Sequence, residues 1–231
     1  MPGFIRKEYD EFLTIARKVP SPALAILVLS VVSMNLLANK ELFHTEWIAL
    51  DCGFVLSWIP FLIMDCTCKT LGGKAAAKIS LFAITVNLLT FAVFKLISLA
   101  PGMWGEYYST GLPEVNESLN RTIGGSTWIV LGSALAMAVA SIVNSIVNMT
   151  VASMFKKDRY REFALRSFIS TGAAQIVDNF TFATIVSIPL FGWTWKQTIM
   201  CSVCAAGFEL LLEICFSGVG YRMAKKWQSL Q

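Results

Sequence analysis

Residues 127–161 read TWIVLGSALAMAVASIVNSIVNMTVASMFKKDRYR. The first 28 carry no Asp, Glu, Lys or Arg, and the next seven carry Lys156, Lys157, Arg159 and Arg161. About 20 predominantly apolar residues suffice for a helix to cross a ~30 Å hydrocarbon core. A basic cluster directly after such a stretch marks its cytoplasmic end.

Five further apolar stretches flank this one, at roughly 22–39, 47–66, 78–98, 166–188 and 197–218. Fifteen of the 19 Lys and Arg residues fall in alternate gaps: Arg6, Lys7, Arg17 and Lys18; Lys69, Lys74 and Lys78; the group from Lys156 to Arg166; and Arg222, Lys225 and Lys226. The other gaps hold only Lys40, Arg121 and Lys196, with Lys95 inside the third stretch. The pattern predicts an all-α integral membrane protein, one membrane domain over 1–231 with six transmembrane helices and both termini in the cytoplasm. Composition agrees: 55% hydrophobic residues, mean hydropathy +0.62 and 15% charged residues, against about 25% charged in an average soluble domain.

The net charge of +4 follows from this topology, and no basic stripe interleaved with aromatics suggests a nucleic-acid partner. Residues 1–20 mix acidic and basic side chains, so the first span is expected to stay as a signal anchor. Ile5, Phe12, Ala16 and Val19 recur at helical spacing, which fits a short interfacial helix as well as a solvated leader. Ser21 and Pro22 suit the start of span one. The loop 99–125 divides the chain into two three-span halves, and Trp47, Trp104, Trp128, Trp193 and Trp195 are placed as an outer aromatic belt.

Polar residues inside apolar spans are costly, about 2.5–3.5 kcal/mol for a charge at the bilayer centre even on insertion scales, and so mark candidate sites. Asp51, Trp58 and Asp65 recur at intervals of seven and share one face of span two. Asp51 fits outer interfacial water and Asp65 an ion pair with Lys69 as readily as a functional role. In span five, Thr171, Gln175 and Asp178 lie on one face, and Asp178 has no basic neighbour. Asn144 and Asn148 stand one turn apart in span four, as do Glu209 and Glu213 in span six. Two carboxylates that close in low dielectric do not both ionise, which makes Glu209 and Glu213 a candidate proton-coupling pair. The segment 141–145 (SIVNS) echoes 175–179 (QIVDN), with Ser133 over Ser167 in the same register. Such repeats frame the sites of many transporters. Individual Asn and Ser residues in membrane helices also serve as packing glue.

The six cysteines, including Cys201-x-x-Cys204, read as buried thiols rather than a metal or redox pair. His44 is the single histidine, and no phosphate-cradling loop or nucleophile elbow occurs. We expect no enzyme activity, cofactor or metal.

Residues 58–72 (WIPFLIMDCTCKTLG) and 170–178 (STGAAQIVD) resemble the queuosine-precursor transporter family, also labelled vitamin uptake transporter (VUT), over nearly the whole chain. The resemblance implies a six-span bacterial inner-membrane importer of 7-deazaguanine precursors of the tRNA base queuosine or of a vitamin-like heterocycle. Asp65 matches the Asp of the family's Asp-x-x-Thr-Glu-x-x-Gly stretch, and Gln175 and Asp178 match its span-five pair. Lys69 stands where the family has Glu and Asn144 where it has Asp, while span six carries Glu209 and Glu213 where many members have a Lys and a carboxylate; this places the chain in a divergent branch. On this reading Asp178 reads the base, Gln175 and Asn144 are its amide neighbours, Trp58 stacks on the ring, and Asp65, Asn148 and Asn179 complete the site. The partners are then a small-molecule substrate and membrane lipid, and a homo-oligomer is compatible. The alternatives are a substrate-binding subunit of an energy-coupling-factor importer, which needs an ATPase module but lacks an Ala-x-x-x-Ala docking pattern here, and a non-transporting membrane scaffold.

Overall fold

The computed structural model describes residues 3–100, 113–154 and 160–229. Helix α1 (Gly3–Lys18) is amphipathic and ends where Pro20 interrupts the chain; α2 (Ser21–Leu37) restarts with Pro22 in its first turn, and the two axes meet at 109°. Proline suits that position because its missing N–H has no helical partner there. At 17 residues α2 is about 26 Å long, enough for one crossing. Among the described residues five other helical stretches are long and apolar enough to cross a membrane, and the bent α1–α2 pair, counted as one span, brings the number to six.

The second span begins later than the hydropathy pattern predicts. Residues 47–53 are not helical: β1 (Glu41–His44) and β2 (Ala49–Asp51) pair antiparallel with Glu41 opposite Asp51 and His44 opposite Ala49. The short apolar run at Ile48–Leu50 is ambiguous between strand and helix by periodicity alone. Asp51 Oδ1 accepts the Gly53 N–H at 2.7 Å, an Asx turn that launches α3 (Phe54–Leu71). Gly72 then takes φ +89°, a conformation L side chains rarely adopt, and α4 (Gly73–Leu99) starts on the next residue.

Helix α5 (Pro113–Gly125) leads through Ser126 into α6 (Thr127–Met154). Ser126 is fully buried and exchanges hydrogen bonds with Asn39. Helix α7 (Tyr160–Phe182) passes into a π-helical turn at 183–187 and the short α8 (Ile188–Phe191), which carries Pro189 and stops at Gly192 with φ +70°. Helix α9 (Trp195–Gln228) opens with a capping box between Thr194 and Gln197 and, at 34 residues or about 51 Å, overreaches the bilayer.

The bundle has two chemically distinct ends. At the basic end, Lys74 and Lys78 on α4 pair with Glu8 and Glu11 on α1 at 2.7–2.9 Å, Phe12 stacks near Phe82, and Val19, Ala23, Phe163, Ala224 and Trp227 form one apolar cluster. Helix α1 is therefore docked across α4 rather than solvated. At the hairpin end, Trp193 Nε1 donates to Glu41 at 2.7 Å and Gln197 Nε2 to the Thr45 carbonyl at 2.7 Å, pinning the hairpin to the start of α9. Leu81, Leu89, Leu131, Leu135, Ile146 and Leu211 point outward, as a lipid-facing surface requires, while the interior holds Asn35, Asn87, Asn144, Gln175, Glu209 and Glu213 at 0–1% exposure. The belt residue Trp104 and the basic residues Lys156, Lys157 and Arg159 lie outside the described residues.

Candidate functional site

Two polar centres occupy the interior, one toward each end. Toward the basic end, Asp65 on α3 is fully buried and accepts from Asn144 Nδ2 at 2.8 Å, Asn148 Nδ2 at 3.1 Å, Thr171 Oγ1 at 2.9 Å and Ser167 Oγ. One carboxylate thus gathers α6 and α7 around α3. Asn148 Oδ1 accepts from Arg166 at 2.6 Å, and Asn148 Nδ2 also reaches Ser170 at 3.1 Å. Ser167 Oγ contacts Glu213 on α9 as well as Asp65. Lys69, one turn from Asp65, has its Nζ 5.3 Å from the Phe163 ring centroid and 5.8 Å from that of Tyr221.

Toward the hairpin end, a small cavity of about 40 Å³ opens between α2, the start of α3, α6 and α7. Asn35, Asp51, Phe54, Asp178, Asn179 and Phe182 line it, with Ser57 and Ser133 below. Asp178 Oδ1 and Asn35 Oδ1 are buried atoms with no hydrogen-bond partner among the described residues. Glu209 underlies this cavity, accepting from Asn179 Nδ2 at 3.1 Å and from Ser57 Oγ.

The sequence-predicted residues therefore divide. Asp178 and Asn179 line the cavity, whereas Asp65, Asn144 and Asn148 form the knot at the other end. Gln175 is fully buried between these levels, with neither Oε1 nor Nε2 hydrogen-bonded. Asn144 and Asp178, equivalent in the internal echo, do not face each other. Antiparallel helices related by that echo place equivalent residues on opposite sides of the midplane, so Asn144 serves Asp65 and Asp178 the cavity. Trp58 is not a cavity residue: it stacks on Phe216 at 4.7 Å and 18° between planes, and its Nε1 donates to Val55. Glu209 and Glu213, adjacent in sequence pattern, belong to different centres, since α3 and α9 run parallel and carry Ser57 and Asp65 to different heights. Sequence reasoning missed Asn35, Phe54, Phe182 and Arg166; a lone Asn in the otherwise apolar α2 is the one signal that could have exposed Asn35.

A six-helix bundle with lipid-facing apolar sides, a polar interior and a cavity at one end defines a multi-pass membrane protein. Residues 51–223 match the model of the family described as "Putative vitamin uptake transporter", and the chain belongs to that family. No curated protein and no solved structure matches it. Among the described residues no group of His, Cys, Asp and Glu could hold a metal ion.

Proposed function

We propose that this protein imports a small planar heterocycle, a 7-deazaguanine precursor of queuosine or a vitamin-like ring, across a bacterial inner membrane, with the basic end cytoplasmic. The observation that supports this reading is the pairing of a small cavity lined by Asn35, Asp51 and Asp178 at the hairpin end with a hydrogen-bonded knot at the basic end. Such an arrangement fits one state of an alternating-access carrier: open toward the hairpin side and shut by Asp65, Asn148 and Arg166 toward the basic side.

In this reading Asp178 accepts N–H donors of the ring, Asn179 and Asn35 flank it, and Phe54 and Phe182 take the stacking role once expected of Trp58. Asp65, Asn144 and Asn148 hold the closed gate, Gln175 lies on the path between the centres, and Glu213 with Asp65 carries a coupling proton, while Glu209 positions Asn179. Proteoliposomes containing only this protein test the proposal by uptake of radiolabelled 7-deazaguanine. Saturable uptake that falls at least tenfold, ~1.4 kcal/mol, in a well-folded Asp178→Asn variant is expected. Absence of saturable uptake of any planar heterocycle overturns it, and uptake only with added ATPase subunits replaces it with an energy-coupling-factor importer.

A further inference from the structure

The cavity's unpaired atoms have one chemical character, and resting on the binding reading above, we infer that the ligand it selects is a planar organic cation carrying N–H donors along one edge, such as an amidinium or a protonated aminoheterocycle.

Asn35 is 1% exposed, and its Nδ2 donates to the Val31 carbonyl at 2.8 Å. That bond fixes the amide's orientation and leaves Oδ1 as the atom without a partner. Asp178 likewise leaves Oδ1 unpaired in a buried position. Both orphans are acceptors, and a buried acceptor left unmade costs its desolvation. The missing complement is therefore a donor, and at Asp178 a charge-assisted one.

Charge points the same way. Asp51 and Asp178 both line the cavity, and among the described residues no Lys, Arg or His lines it. An anionic ligand would meet carboxyls without a counter-cation, whereas a monocation offsets the one negative charge such a pair holds in low dielectric. Phe54 and Phe182 are among the lining residues, and aromatic rings attract a flat delocalised cation more than a neutral ring of equal shape. Asn179 adds no competing free donor, because its Nδ2 is held by Glu209 and the Gln175 carbonyl.

Benzamidinium, benzamide and benzoate share one ring and nearly one shape while differing in charge, so they serve as probes of the purified full-length protein in nanodiscs by calorimetry. Benzamidinium is expected to bind at least tenfold more tightly than benzamide, and benzoate not measurably. Asp178→Asn should bring benzamidinium down to the benzamide level. Equal affinity for the three, a preference for benzamide or benzoate, or no benzamidinium binding overturns the inference, and this series on the wild type needs no variant to fold. Cation-selective binding without proteoliposome uptake sinks transport and leaves this inference standing; uptake of neutral or anionic heterocycles only does the reverse.

Discussion

Asp65 on α3 and Arg166 on α7 are joined through a single amide: Asn148 donates to Asp65 Oδ1 at 3.1 Å and accepts from Arg166 at 2.6 Å. Opposite charges in low dielectric are thereby linked without direct contact, and each keeps a hydrogen bond. Removing the amide takes one of several donors from Asp65 but the acceptor from the half-buried Arg166, and a partly buried guanidinium that loses its acceptor is destabilising.

Asn148→Ala should therefore lower stability by about 2–3 kcal/mol, more than Asn144→Ala at about 1 kcal/mol, because Asp65 keeps other donors when Asn144 is lost. Equilibrium unfolding in mixed micelles measures both. Equal losses would show that the link to Arg166 adds nothing.

Gly132 on α6 lies against the π-helical turn so closely that a Cβ added to it would fall 2.2 Å from Val186 Cγ2. Gly132→Ala should cost about 1–3 kcal/mol by overpacking. Val186→Ala in the same chain should recover most of that loss, and a double-mutant cycle without coupling would contradict the contact.

Orientation follows from the alternation of basic gaps. In a cysteine-less background, a cysteine at Glu117 should react with an impermeant maleimide added to intact cells, and one at Lys74 only after permeabilisation. The opposite pattern inverts the topology and places the cavity on the cytoplasmic side.

The membrane class, the five to six candidate spans and the polar faces were legible because hydropathy and charge act locally, residue by residue. The start of α3 was not, since a hairpin at Glu41–Asp51 depends on pairing and on the pins from Trp193 and Gln197, which lie some 150 residues away in sequence. Asp65, Gln175, Asp178 and Glu213 were all recognisable as costly intramembrane groups. Their division into two centres was not, because it depends on the relative heights of α3, α6, α7 and α9. Trp58 and Asp65 share a helical face by spacing, yet Phe216 on α9 claims the indole.

Helix α1 should undock in acid. Hydrogen bonds from Lys74 and then Lys78 hold the Glu11 carboxyl down to about 2, below its ordinary 4.5. A depressed carboxyl stabilises the docked form fully above its free value, and that contribution is lost as pH falls from about 4.5 through about 2. Spin labels on α1 and α4 should report a fixed distance at pH 7 and a broadening distribution in that acid window, and Glu11→Gln should shrink the pH-dependent part. No difference between Glu11→Gln and wild type across the window would remove Glu11 from the docking.

Proton coupling rests on a count of hydrogens at Ser167. Its single hydroxyl contacts both Asp65 Oδ2 and Glu213 Oε1, and two such contacts need two hydrogens. The coupling proposal accordingly places a proton on one carboxyl of the Asp65–Glu213 pair in this state, whereas Glu209 is served separately by Ser57 and Asn179. Opening the knot toward the basic side would separate the two carboxyls and release that proton, tying gate movement to protonation. In proteoliposomes an inward proton gradient should drive substrate above its equilibrium level. Glu213→Gln replaces the titrating group with a permanent donor and acceptor, so it should abolish accumulation while leaving counterflow exchange within about threefold of wild type, a shift under ~0.7 kcal/mol. Glu209→Gln, acting through Asn179, should instead weaken substrate binding and leave the response to the gradient intact. A wild-type protein whose uptake ignores the gradient would end the coupling proposal and leave a passive carrier.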